Sequence, residues 1–423
     1  MASRRLLLGA AVAAPLAAWL ARPAEQGGPH DAYFERLSAA LRQAGIAQAR
    51  LVIDLPRLRA NLAAIGAHRA KTGMPLRAVL KSLPSLPLMD ELARAWDSPR
   101  VMAFNAAQLQ QLLAARPEAQ VLLGKPLPVA AAAQVLQALP PAIGAGIEWL
   151  VDTPERLAQY RELARQRSQV LRVNLELDIG LHRGGFENID QLGAALRSLQ
   201  GGSGPLRWSG FMGYDAHVGA LPDALGMRAG AWDEALRRYR AAWAAAEAAL
   251  GPQRREALTL NTAGSPTFRL HDGRGVANEV SVGSAALLPS DFEKPLLGDL
   301  RPAAFIATPV LKSWPEFRLP EGATWLSRLA RAWDPNQARA LAIHGGHWLA
   351  RPVSPPGVAP SGLYGNSSNQ QVMVASARIE LKPDDYLFLR PQQSEALLLQ
   401  FGELLVFDGE RISAGWPVLP ASA

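Results

Sequence analysis

A chain of 423 residues that is 49% hydrophobic and 19% charged is too apolar for disorder and too long for one core, so two domains are expected. Its formal charge of +7 rests on arginines scattered singly along helical stretches. It lacks the basic clusters with interleaved aromatics of a nucleic-acid surface, so no nucleic-acid partner is expected. Cysteine is absent, which excludes disulfides, thiolate metal sites and a cysteine nucleophile.

The chain opens with Arg4-Arg5, an apolar run from Leu6 to Leu20 and small residues around Ala21 to Ala24. This is the layout of an export signal, here residues 1–24, and the twin arginine resembles a Tat signal. The run is short for a membrane span. The expected location is periplasmic or exported, or cytoplasmic if this stretch is an ordinary N-terminal helix. After a short helical segment (Tyr33 to Ala44), "ARLVID" reads as a strand. Asp54 then caps a helix with Pro56 in its first turn and Leu55, Leu58, Leu62 and Ile65 at helical spacing.

From there apolar runs alternate with alanine- and leucine-rich helices. The runs are "LRAVL" (76–80), "RVMAF" (100–104), "QVLLG" (120–124), "IEWLVD" (147–152), "VLRVNLELD" (170–178), "RWSGFMGY" (207–214), "ALTLN" (257–261) and "NEVSVGS" (278–284). Eight such strands predict an α/β fold, a (β/α)8 TIM barrel over residues 25–300, with a doubly wound open sheet as the rival. Past Leu300 strand-like runs follow one another with little helix between them. Residues 301–423 therefore read as a C-terminal antiparallel β domain.

Barrel chemistry sits at the C-terminal ends of strands. The chain has only six lysines, and Lys81 directly follows the first run; Lys125 holds an equivalent place after the third. A lysine in partly apolar surroundings can offer a neutral amine for a Schiff base. Position alone does not choose between the two. "NLELDIGLHRGG" offers Arg183 beside glycines, to bond an anionic oxygen or to pair with Asp178 or Glu176. "GFMGYDAHVG" places Tyr214 and His217 after a strand as candidate acids or bases. "LNTAGSPTF" brings Thr262, Ala263, Gly264 and Ser265 to the place where barrels commonly bind phosphate. A strand-end amine with a phosphate loop is what pyridoxal 5′-phosphate (PLP) requires.

The order "LVIDLPRLRANL", "VLKS", "LDIGLHRGG", "GYDAH", "TAGS" and "NEVSVGS", followed by a β domain, resembles the fold-type III PLP enzymes with an alanine racemase-like barrel. Within that group the resemblance is to the D-threonine aldolase and D-serine dehydratase branch, over roughly residues 48 to 420. It implies that Lys81 forms the Schiff base with the cofactor and that Arg183 contacts its phenolic oxygen. It also implies that Tyr214 and His217 border the ring, that Thr262 to Ser265 hold the phosphate, and that the protein is a homodimer. In the branch the catalytic lysine is usually followed by Thr-His; here Ser82 and Leu83 follow. Its β domain carries a His-x-Asp or His-x-Cys pair for a divalent metal, whereas the matching stretch here offers Gln393 and Glu395, a poor ligand set. No metal ligand is assigned. His344 and His347 are a further polar pair in the β domain, and His347 is a candidate acid or base.

The activity implied is that of a PLP-dependent lyase on D-3-hydroxy amino acids, cleaving them to glycine and an aldehyde or eliminating water. An amino-acid racemase is the alternative, and a non-catalytic PLP-binding protein or sensor is the reading from another class.

Overall fold

The computed structural model describes residues 22–200 and 204–421. The export signal expected over residues 1–24 lies almost wholly outside them. The chain forms two compact units, one of residues 53–304, 392–406 and 415–423, the other of residues up to 52, 305–391 and 407–414. The division is not linear along the sequence: residues 22–52 belong with the β-rich unit, and two C-terminal segments belong with the barrel.

Helix α1 (Ala32–Gln43) is capped by Asp31, whose side chain accepts from Phe34 N, and it buries Phe34, Leu37 and Leu41 at helical spacing. Strand β1 (Arg50–Asp54) leads into α2 (Leu55–Thr72), where the Asp54 carboxylate accepts from Arg57 N at 2.8 Å. Gly73, at φ 71°, ends α2 in the left-handed conformation that favours glycine.

Eight parallel strands then close a barrel: β2 (Leu76–Val79), β3 (Arg100–Ala103), β4 (Gln120–Leu123), β5 (Glu148–Val151), β6 (Leu171–Leu177), β7 (Leu206–Gly213), β8 (Thr259–Thr262) and β9 (Glu279–Val282). The pairing of Leu76 with Val280 joins the first of them to the last. The barrel reading therefore holds over the open sheet, and each of the eight apolar runs supplies one strand. These strands are buried on both faces, by the barrel interior and by the surrounding helices, so the sequence shows continuous apolar runs rather than alternation.

One interior layer is ionic. Glu279, fully buried on β9, accepts from Arg77 Nε at 2.5 Å and Nη2 at 3.0 Å, from Arg100 at 2.6 Å and from Asn261 at 2.8 Å. Removing one partner of such a network leaves a buried charge uncompensated. Past β7 the short helix α3 (Ala216–Ala220) carries His217.

In the second unit β10 (Ala304–Trp314), β11 (Arg339–His344), β12 (Ala350–Ser354), β13 (Ala359–Pro360), β14 (Gln370–Ala375) and β15 (Tyr386–Pro391) pair antiparallel in the order β13-β14-β11-β10-β15-β12. This is the expected antiparallel sheet, with two additions. The strands at 350–354 and 359–360 were not expected, because proline interrupts both runs. Nor was helix α4 (Thr324–Trp333), which lies between β10 and β11. Among the described residues no helix is long and apolar enough to cross a membrane.

Candidate active site

The C-terminal ends of the barrel strands surround a cavity of about 550 Å³ of atom-free space, open to solvent. Lys81 lies in the short 3-10 turn Leu80–Ser82 that ends β2, and its side chain enters this cavity. Its Nζ stands 3.1 Å from Glu395 Oε1 and 5.0 Å from the centre of the Phe104 ring. The amine thus has a carboxylate beside it and an aromatic face below it. Gly124, at the end of β4, makes room for that ring: a Cβ there would fall 2.3 Å from Phe104 Cζ. Lys125, the other strand-end lysine, is exposed and does not line the cavity.

Opposite, the Arg183 guanidinium lies over the Tyr214 ring, 4.8 Å from its centre. Burial pushes the Tyr214 phenol above its ordinary pKa, against the lowering effect of Arg183, so it stays protonated near neutral pH. Beneath the Arg183 loop, burial and the Asp152 charge push Glu176 up to about 7, with Arg183 acting the other way.

The floor is made of small residues from the ends of β8 and β9. Ala263, Gly264, Ser265, Gly283 and Ser284 line the cavity. A Cβ on Gly264 would meet Tyr214 Cε2 at 2.5 Å, and one on Gly283 would meet Val79 Cβ at 2.8 Å, so both positions require glycine. The Ser265 hydroxyl accepts from Gly283 N at 3.1 Å and Ala285 N at 3.0 Å, tying the two floor loops together.

The structure therefore brings Lys81, Arg183, Tyr214, Ala263, Gly264 and Ser265 together. It places three other candidates elsewhere. The Thr262 side chain faces away from the cavity, toward Asp215 and His271, because alternation along β8 turns Asn261 and Ala263 inward and the residue between them outward. The His217 ring lies beside Gly180, under the loop that carries Arg183, and its buried Nδ1 has no hydrogen-bond partner among the described residues. Burial lowers its pKa, which keeps the ring neutral. His347 belongs to the other unit, in the left-handed conformation at φ 53°, and does not line this cavity.

Sequence reasoning missed two features. One is the contact of Glu395 with the amine; Glu395 Oε2 also lies 3.5 Å from both Ser82 Oγ and Ser284 Oγ. The other is a buried chain behind the floor. Asp215 accepts from Thr267 Oγ1 at 2.5 Å and pairs with His271 Nε2 at 2.7 Å, while Gly264 N donates to Thr267 at 3.3 Å. The "YDAH" and "TAGSPT" segments were both visible, but nothing in their sequence showed that they touch.

For metals, Gln393 donates to Asp291 Oδ2 at 3.3 Å and Glu395 is engaged with the amine. Among the described residues one group of three potential ligands lies close together, Asp178, His182 and Glu187. None of the three lines the Lys81 cavity, and Asp178 is occupied by Gly180 N, His182 N and the His182 ring.

The donor set fits pyridoxal 5′-phosphate. An amine is available for its aldehyde, an arginine and a tyrosine for its ring substituents, and a floor of glycine, alanine and serine admits the bulk of a phosphate. At the sequence level no curated protein matches the chain. Among solved structures it is similar to D-threo-3-hydroxyaspartate dehydratase from Delftia sp. HT23, with a TM-score of 0.68 at 18% identity over 88% of this chain and 97% of that one. It is also similar to D-threonine aldolase from Filomicrobium marinum, at 0.65 and 18% over 88% and 96%, and to alanine racemase from Streptomyces lavendulae, at 0.60 and 19% over 82% and 88%. These likenesses concern the fold. The model of the alanine racemase N-terminal domain matches residues 53–290, more than half of the chain and the whole run from α2 through β9. The chain therefore belongs to the alanine racemase N-terminal domain family and is a fold-type III PLP protein.

Proposed function

We propose that this protein is a lyase acting on D-3-hydroxy amino acids, and that it cleaves the bond between Cα and Cβ. The observation that carries the reading is the 3.1 Å contact between Lys81 Nζ and Glu395 Oε1. Racemisation needs two proton carriers on opposite sides of Cα. Lys81 and Glu395 are neighbours instead, which suits an amine working at Cα and a carboxylate at the adjacent Cβ oxygen.

When bound, PLP supplies an electron sink for the bond broken at Cα. Lys81 would hold it covalently, Arg183 and Tyr214 would contact its ring, and Ala263 to Ser265 would surround its phosphate. The chain's own contribution is proton handling and orientation. Glu395, the carboxylate beside the amine, would take the proton from the substrate hydroxyl as the carbon–carbon bond opens, and the Lys81 amine would return a proton to Cα. Dehydration would require the opposite role, a donor at that oxygen. Phe104 shields the amine on one side from water.

The test is to incubate the PLP-loaded protein with D-threonine, D-serine and D-3-hydroxyaspartate and identify the products. Glycine and an aldehyde support the proposal. Ammonia with a keto acid would move it to dehydration, and an L-enantiomer to racemisation. Absence of any product while PLP stays bound would favour a binding protein.

A further inference from the structure

Glu395 and Phe292 enter the Lys81 cavity from two turns clipped side by side, both in the barrel unit. Phe292 closes the 3-10 turn Ser290–Phe292, and Glu395 lies in a turn where Leu397 N and Leu398 N both donate to Ser394 O, at 3.1 and 3.0 Å. Asp291 N donates to Gln392 O at 3.2 Å and Gln393 Nε2 donates to Asp291 Oδ2 at 3.3 Å, so the turn carrying the ring is tied to the turn carrying the carboxylate. Among the described residues three charged side chains line the cavity, Lys81, Arg183 and Glu395. The rest of the wall is apolar or carries hydroxyls and one amide. The charged neighbours of Phe292, Asp291, Glu293 and Lys294, do not line it.

Building on the lyase reading above, we infer that the substrate's Cβ carries, besides its hydroxyl, an uncharged apolar group, aryl included, and that Phe292 and Glu395 select for it. On that reading Lys81 holds the cofactor and Arg183 contacts its ring, which leaves Glu395 as the charge facing Cβ. A carboxylate that takes the hydroxyl proton stands one hydrogen bond from that oxygen, and so about 4–5 Å from whatever else Cβ carries. A second carboxylate there, as in D-3-hydroxyaspartate, sets two anions side by side with no spare cation among the lining residues. Like charges at that range repel strongly in a cavity partly stripped of water. A methyl or phenyl group meets no such repulsion, and the Phe292 ring offers it an apolar face. The α-carboxylate is common to every candidate and does not discriminate between them. Glu395 therefore has two effects: it serves the hydroxyl, and it excludes an acidic side chain from the same place.

The test offers the PLP-loaded protein D-serine, D-threonine, D-phenylserine and D-3-hydroxyaspartate, which differ in what Cβ carries besides its hydroxyl. Binding is read from the absorbance of the bound PLP during titration, separately from turnover. The expected affinity for D-phenylserine is about 10²-fold above that for D-3-hydroxyaspartate. Glu395→Gln should shrink that gap to about tenfold or less by improving the binding of D-3-hydroxyaspartate. Phe292→Ala should weaken D-phenylserine by about five- to tenfold and leave D-serine unchanged, with Phe292→Leu in between. Wild-type protein that binds D-3-hydroxyaspartate as tightly as D-phenylserine would overturn the inference, even where glycine and an aldehyde form and the lyase reading stands. The expected binding order without cleavage would support the selectivity while sinking the lyase reading. An undiminished gap in Glu395→Gln would overturn the role of its charge, and equal weakening of D-serine in Phe292→Ala would overturn that of the ring.

Discussion

The Asp215 carboxylate and the Thr267 hydroxyl lie 2.5 Å apart, both fully buried, and join the loop after β7 to the loop after β8. One loop carries Tyr214 and the other Gly264 and Ser265, so this bond fixes the distance between the tyrosine wall and the small-residue floor. Thr267→Val keeps the shape but leaves an Asp215 oxygen and the Gly264 N–H without that partner. The expected cost is about 1–3 kcal/mol in denaturant unfolding, with faster loss of bound PLP, and Thr267→Ser should restore both. Unchanged retention of PLP in Thr267→Val would remove the positioning role.

The Lys81–Glu395 contact separates holding the cofactor from moving the proton. With Lys81→Ala, borohydride should no longer fix PLP to the chain. With Glu395→Gln the hydrogen-bonding shape survives but the acceptor charge does not. PLP should still be fixed by borohydride at position 81, while turnover of D-threonine falls by about 10²- to 10⁴-fold. Full turnover in Glu395→Gln would assign the hydroxyl proton to another group.

Lys81 was legible because lysine is rare in this chain and because buried parallel strands announce their own ends; the residue after an apolar run is the residue at the barrel mouth. Glu395 was not legible as its partner. The two are separated by 314 positions in sequence, and the segment 392–406 returns to the barrel unit only after residues 305–391 have gone into the β-rich one. Thr262 illustrates a different limit: the "TAGS" string identifies the loop, but strand alternation decides which of its side chains face inward. Helix α4 was not read although Trp325, Leu329 and Trp333 recur at helical spacing, because it is one short helix in a stretch otherwise made of strand-like runs and turns. The eight strands and the sheet were readable because burial on both faces, or on one, leaves a direct trace in composition.

The ionic layer under the site should govern acid stability. Burial alone would raise the pKa of Glu279, but Arg77 first, then Arg100 and Asn261, bring it below the ordinary carboxylate value. A depressed folded-state pKa contributes stability that is fully present above the unfolded value of about 4.5 and is lost as pH falls through the lower folded value. Glu279→Gln should cost about 3–5 kcal/mol at pH 7, because Arg77 is left buried without its counter-charge. Urea unfolding across pH should show that deficit shrinking as pH falls below about 4.5, where the unfolded chain takes up the proton, and smallest once the folded Glu279 is itself protonated. A deficit independent of pH would mean that packing, not charge, is what the variant removes.

Glu176 should act in the opposite sense, and close to neutral pH. Burial, helped by Asp152, raises its pKa to about 7 from the usual 4.5. A carboxyl with a raised folded-state pKa favours folding in its protonated form. Its contribution is full below about 4.5 and is lost as pH rises through about 7. Glu176→Gln carries the neutral form permanently, so its Tm should fall less than that of the wild type between those two values. Thermal unfolding at closely spaced pH reads this directly. Parallel Tm curves for the two proteins would show that Glu176 titrates as an ordinary surface acid and that the Arg183 loop rests on no pH-sensitive support.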